Sequence, residues 1–282
     1  MIKKTNNKKP WFLYHGNLRT KTIVIIILSA IVIVSIFISS CFIQYIPTNF
    51  PISNQMPSFN HLFGTDWMGR DMFQRTIAGL GLSLIVGFIA SCVSTLISIA
   101  LGLLSSFNKF TDELVAGIID LFGSIPYILL IILISIMFGG GVFGVIMGVG
   151  LTHWMPLARV LRSEVKEIKT KDYIHLAKNM GKSKIWIATK HVLPLITSQI
   201  IVGVILMFPH AIMHEAAITF LGFGIPPHEP AIGSILSESM NYLSSGYWWL
   251  TVYPGMSLLI VVLLFDFIGE NVEKLLNPTT HR

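Results

Sequence analysis

The chain has 282 residues, 53% of them hydrophobic and 12% charged, with a formal net charge of +6. Soluble domains carry about 25% charged residues, so this composition excludes an ordinary water-soluble enzyme or binding module. The positive balance sits in a few basic segments, so it calls for no nucleic-acid partner.

Residues 1–21 form a basic tail, and residues 22–46 are free of charge. Twenty-odd apolar residues cross a hydrocarbon core of about 30 Å. The run is too long for the core of a cleaved signal peptide, about 7–15 residues, and no small-residue cleavage site follows it. It is read as an uncleaved first membrane helix. Residues 47–79 form an external segment carrying Asp66, Arg70, Asp71 and Arg75. The pairs Asp66–Arg70 and Asp71–Arg75 have the i, i+4 spacing of helix-surface ion pairs. They suit a folded cap on the outer mouth or an external contact surface.

A five-helix unit is expected over residues 80–270. Its second span covers about 80–106, and Lys109 follows in a short loop. Residues 121–158 carry no charge and are too long for one helix. Gly139, Gly140 and Gly141 divide them, which predicts spans at 114–138 and 142–158. Asp120 lies inside the third span near its basic end, where a structural partner is expected. The loop 159–191 carries nine basic residues. Within it Tyr173, Ile174, Ala177 and Met180 recur at helical spacing, as do Ile185, Trp186 and Thr189 after Gly181. Lys178, Lys182 and Lys184 lie between them. Such an amphipathic element lies on a membrane surface or docks into a groove of another protein. Pro194 fits the start of the fifth span, 192–222. Phe223-Gly224-Ile225-Pro226-Pro227 ends that helix. A sixth span covers 247–268, and residues 271–282 form the carboxyl tail. Cys41 and Cys92 fall in spans and are read as small apolar residues.

Eighteen of the twenty Lys and Arg residues fall on one side of this six-span arrangement; only Arg70 and Arg75 fall on the other. The positive-inside rule puts both termini and the 159–191 loop in the cytoplasm. Two motif fragments are rejected. Gly181-Lys182-Ser183 lacks the earlier glycine of a phosphate loop, because position 176 is Leu. His214-Glu215 lacks the second His of a zinc-protease helix, because position 218 is Ile.

The stretch DYIHLAKNMGKSKIWIATKHVLP, residues 172–194, resembles the EAA loop of binding-protein-dependent ABC importer permeases, patterned E-A-A-x3-G-x9-I-x-L-P. Ala177, Gly181, Leu193 and Pro194 match. His175 replaces the Glu, Leu176 the first Ala and His191 the Ile. FGTDWMGRDMFQR, from Phe63, resembles the L-G-T-D-x-x-G-R-D-x-x-S-R segment of dipeptide, oligopeptide and nickel permeases of the C-subunit type, with Gln74 in place of Ser. TFLGFGIPPHEPAIG, from Thr219, resembles their S-F-L-G-L-G-x-x-P-P-x-x-x-W-G block, with Ile232 in place of Trp. The terminal LLNPTTHR resembles L-D-P-R.

The resemblance implies an all-α membrane protein of the type I ABC importer kind, with six transmembrane helices and a cytoplasmic coupling loop. It implies a second permease subunit, two cytoplasmic ATPase subunits or domains and an extracytoplasmic substrate-binding protein, all working in the lipid of a bacterial cytoplasmic membrane. His175, Leu176, Ala177, Gly181, Leu193 and Pro194 would form the ATPase-coupling surface. The chain itself would hold no cofactor and no catalytic residue; ATP and Mg belong to the ATPases.

For cargo, His210 and His214 stand one turn apart beside Pro209, and Glu215 follows. Imidazole suits transition metals, and polar groups inside a span usually face a pathway. The local sequence, with His153-Trp154, is similar to nickel-type subunits; Glu215 is similar to the peptide type. The expectation is import of nickel or cobalt, as a chelate, with di- or oligopeptide import as the alternative. No firm metal site is assigned. Rival classes are an ion-driven carrier or channel, with Asp120, Asp266 and Glu215 as its acids, and a membrane enzyme.

Overall fold

The computed structural model describes residues 11–43 and 46–276. Lys3, Lys4, Lys8, Lys9 and the carboxyl-terminal residues 277–282 lie outside the described residues. The regular secondary structure of the described residues is all helical, apart from one isolated β-bridge between Thr65 and Asp71. The helices are α1 (Trp11–Phe42), α2 (Met72–Ser105), α3 (Lys109–Gly123), α4 (Tyr127–Met137), α5 (Gly141–Gly150), α6 (Trp154–Lys169), α7 (Asp172–Asn179), α8 (Lys184–Ile187), α9 (Leu193–Phe220), α10 (Ile232–Leu243) and α11 (Trp249–Leu276).

Five helical stretches are long and apolar enough to cross a membrane: Arg19–Phe42, Met72–Ser105, Gly141–Lys169, Lys184–Phe220 and Trp249–Leu276. The sixth expected span, 114–138, is not one helix. It is α3 plus α4, bent by 93° at residues 124–126. Pro126 explains the break: it has no N–H to donate, and it disfavours helical geometry at Ile125. The second span starts at Met72 rather than at 80, because Asp71 caps it by accepting from the backbone N–H of Gln74. The fourth runs on as α6 to Lys169, past the expected end at 158, because Leu161, Val165 and Ile168 keep burying one face.

α4 and α5 form a tight antiparallel pair. The turn holds Gly139, Gly140 and Gly141 at φ of +88°, +69° and +63°, a conformation open to glycine at little cost. Gly144 and Gly148 of α5 then face α4, where an added Cβ would lie 2.6 Å from the Ser135 carbonyl and 2.7 Å from that of Ile131. Glycine at those two positions sets the helix separation. The α5–α6 junction at 151–153 is a turn inside the span. Ser94 and Ser98 of α2 donate to the carbonyls of Gly150 (2.6 Å) and Trp154 (2.8 Å). A break at membrane depth requires such partners.

The centre of the bundle is α2 against α9, with α1, α10 and α11 packed outside through Leu80, Leu84, Ile212, Ile235, Leu250 and Val261. A second cluster joins α6, α7 and α9 through Leu161, Val165, Ile174, Ala177 and Ile196. Cys41 and Cys92 are unbonded.

Candidate functional site

Three constellations stand out, at the basic loop, in a cavity along α9, and at the opposite end of the bundle.

At the loop, α7 begins with Asp172 and carries Lys178 in its last turn, charges that suit the helix dipole. It is closed by two hydrogen bonds, Gly181 N–H to Lys178 O at 2.9 Å and Lys182 N–H to Ala177 O at 3.1 Å. This is a Schellman end, and it needs a left-handed residue. Gly181 supplies it at φ +75°, and no atom lies near where its Cβ would be. Ser183 then caps α8 by accepting from Trp186 N–H. The apolar positions of α7 divide between two faces. Ile174 and Ala177 turn inward onto Leu161, Val165 and Ile196. Tyr173, Leu176 (61% exposed) and Met180 (75%) turn outward, and Ile185 and Trp186 continue the ridge. Trp186 packs on His191 at 5.1 Å, and Lys182 lies over its ring at 5.0 Å.

Of the six residues expected on a coupling surface, His175 and Leu176 are exposed and Ala177 is buried. Gly181 shapes the turn. Leu193 and Pro194 lie in the first turn of α9, behind a wider π turn at Ala188–Val192. Pro194 has no N–H for the carbonyl four residues back, which accounts for the widened turn.

A cavity of about 600 Å³ runs beside α9. His210 is exposed on its wall and His214 is half-buried one turn further on. Two residues join them that spacing along α9 does not reveal. The His153 ring, from the start of α6, lies 5.0 Å from that of His214, and the Tyr127 ring lies 4.8 Å from His153 and 5.2 Å from His214. His153 Nδ1 is 3.0 Å from the Val149 carbonyl, while its Nε2 has no hydrogen-bond partner among the described residues. Gln199 and Glu273 line the cavity too, toward the basic loop. Glu215 does not belong to this wall. It is fully buried on another face of α9, where Oε1 accepts from Thr219 Oγ1 at 3.1 Å. Thr219 Oγ1 in turn accepts from the Ile225 N–H, so Glu215 braces the turn that follows α9. Among the described residues, no three His, Cys, Asp or Glu side chains are grouped closely enough to hold a metal ion.

At the other end, Asp66 and Arg75 are almost fully buried, 3% and 4% exposed. Asp66 Oδ2 lies 2.7 Å from Arg70 Nε and 2.6 Å from Arg75 Nη1. The expected Asp71–Arg75 pair does not form. Asp71 is used at the helix start and pairs with His61 at 2.7 Å. Arg75 instead reaches Glu238 of α10 at 2.7 Å, Arg70 reaches it at 3.0 Å, and Trp67 Nε1 donates to it. Burial raises the Glu238 carboxyl, but the charge and hydrogen bond of Arg75, with Trp67 and Arg70, outweigh this and hold it below its ordinary value. Asp120, expected to have a structural partner, lies 3.8 Å from Arg159, and both are exposed. Such a pair is worth little.

Residues 94–278 match the family described as "Binding-protein-dependent transport system inner membrane component". The chain is 32% identical over 230 residues to the dipeptide transport system permease protein DppC of Bacillus subtilis, covering 81% of this chain and 72% of the relative. It is 33% identical over 259 residues to the dipeptide transport system permease protein DppC of Alkalihalophilus pseudofirmus, covering 90% and 84%. The oligopeptide transport system permease protein OppC of the same Bacillus is 30% identical over 236 residues, covering 83% and 77%. The expected closeness to nickel-type subunits finds no support in these relatives. In structure, the chain is similar to the inward-facing MetNI methionine ABC transporter, with a TM-score of 0.60, 20% identity, and coverage of 73% of this chain and 98% of that one. That likeness speaks for the fold alone. With the family matched over residues 94–278 and relatives of about a third identity aligned over most of their length, this chain belongs to the binding-protein-dependent transport system inner membrane components.

Proposed function

We propose that this chain is a permease subunit of an ATP-driven importer that brings di- or oligopeptides across a bacterial cytoplasmic membrane. The observation that carries this reading is the likeness to dipeptide and oligopeptide permeases over four-fifths or more of the chain. A second permease subunit completes the pathway, and a substrate-binding protein delivers cargo from outside. Two cytoplasmic ATPases bind ATP and Mg and drive the change of access. The bias of basic residues puts the 159–191 loop and both termini in the cytoplasm. There the ridge of Tyr173, Leu176, Met180, Ile185 and Trp186 seats in a groove of an ATPase. The His210–His214 wall lines the pathway.

The test is uptake of labelled peptides by proteoliposomes holding the permease pair, with and without ATPases and binding protein. ATP-dependent uptake that needs both additions supports the reading. Gradient-driven uptake by the purified chain alone defeats it in favour of a carrier.

A second reading, import of nickel or cobalt as a chelate, has one observation in its favour: His153, His210 and His214 all border the cavity. Labelled nickel and cobalt, offered with and without chelator, decide it. Metal uptake that falls in His210→Ala and His214→Ala would favour metal; peptide uptake with no metal uptake rejects it.

A further inference from the structure

The polar groups of the α9 cavity lie at its two ends, with apolar wall between. At one end stand His210, His214 and the ring of Tyr127; at the other stand Gln199 and Glu273. Leu157, Val202 and Met207 are among the residues between. No Lys or Arg is among the described lining residues, although this end opens toward the most basic loop of the chain. Gln199 Nε2 donates to Glu164 Oε1 at 3.3 Å, which brings a second carboxylate to the same end. The nearby acids Asp112 and Glu270 are paired with Arg162 and Lys274, whereas no ion pair engages Glu164 or Glu273 among the described residues.

The geometry points to an oriented site for an extended peptide of three to five residues, its ammonium group at the Glu273–Gln199–Glu164 end and its carboxylate at the His210–His214 end. This rests on the reading of the chain as a peptide importer subunit. The charges fit: uncompensated carboxylates take a cation, and imidazole N–H groups donate to a carboxylate. The length fits as well. At a rise of about 1.5 Å per residue, Gln199 lies about 16 Å from His210 and about 22 Å from His214 along α9. With a charge-assisted hydrogen bond of about 2.8 Å at each end, and 3.3–3.6 Å per extended residue, the remaining span holds about three to five residues. A dipeptide reaches one end at a time. The apolar wall between accepts side chains without selecting among them.

Photo-crosslinking in the complete transporter, reconstituted with its second permease, ATPases and binding protein, tests the assignment. A tetrapeptide with benzoylphenylalanine first is expected to label α9 near Gln199 or α11 near Glu273. The same peptide with benzoylphenylalanine last is expected to label α9 between Met207 and His214. A reversed pattern, or labels outside the cavity while uptake proceeds, overturns the assignment but leaves the importer standing. A parent transporter that takes up no peptide overturns both. Glu273→Gln, and His210→Leu combined with His214→Leu, are each expected to cut tetrapeptide uptake roughly tenfold, the effect of losing a hydrogen bond to a charged group. Membrane level should stay at the parental value. Unchanged uptake in both variants overturns the site. Should either variant fail to insert, the crosslinks on the parent protein still decide.

Discussion

Arg75 and Glu238 are 163 positions apart in the chain and 2.7 Å apart in space. Their contact ties the start of α2 to the middle of α10, and through Asp66 it ties both to the segment after the first membrane helix. Arg75 is the hub: one nitrogen serves Asp66 and the other serves Glu238. Removing one partner of a buried pair is costly because the other charge stays behind unpaired.

Arg75→Met is therefore expected to destabilise the protein by about 3–5 kcal/mol, with Asp66 left buried against Arg70 alone. Glu238→Gln should cost less, since the amide keeps one acceptor. Thermal unfolding in detergent measures both. Melting curves for Arg75→Met that overlay the parent's would remove the clasp from the account.

The same clasp predicts a pH dependence. Glu238 is held below its ordinary value of 4.5 in the fold. Its stabilising effect is thus present in full above that ordinary value and is lost as pH falls through the lower folded value. The melting temperature should drop on acidification from about pH 5 downward, and the drop should be shallower in Glu238→Gln, which cannot titrate. Equal slopes in parent and variant would assign the acid sensitivity to other carboxylates.

On the basic loop, two classes of substitution should separate. Leu176→Asp and Met180→Asp alter an exposed ridge, so they should leave insertion intact and abolish co-purification with the ATPase. Ala177→Asp buries a charge among Leu161, Val165 and Ile196, so it should lower the amount of folded protein instead. Gly181→Val forces a β-branched residue to φ +75°; a cost of about 1–3 kcal/mol is expected, with loss of receptor-stimulated hydrolysis. If all four variants bind the ATPase as the parent does, the ridge is not the coupling surface.

Topology has a direct check. A reporter fused after Ser183 should read as cytoplasmic, and one fused near Glu229 as external, from the distribution of basic residues. Both fusions on one side would dismantle the six-span arrangement.

The membrane class, the helical fold and the existence of the loop were legible in the sequence, because each rests on composition or on local period. A charge-free run of about 20 residues has few alternatives to a membrane helix, and Gly139–Gly141 mark a turn whatever surrounds them. The amphipathic period of 173–189 marked a helical element, but it did not separate Ala177, which packs on α6 and α9, from Leu176, which does not. That division depends on how α7 is rolled against its neighbours. The ion pairs show the same boundary. Asp66–Arg70 does form, but in a turn ahead of α2 rather than on a helix surface, whereas Arg75 left Asp71 for Asp66 and Glu238, because Asp71 caps α2. Likewise His210 and His214 share a cavity wall as their spacing implied, but Glu215, the very next residue, turns about 100° away around the helix and is fully buried. His153 and Tyr127 join the cavity from two other helices. Local chemistry decided which segments cross the membrane. Which side chains meet was decided only when the helices packed, since contacts 50 to 170 positions apart leave no periodic trace in the sequence.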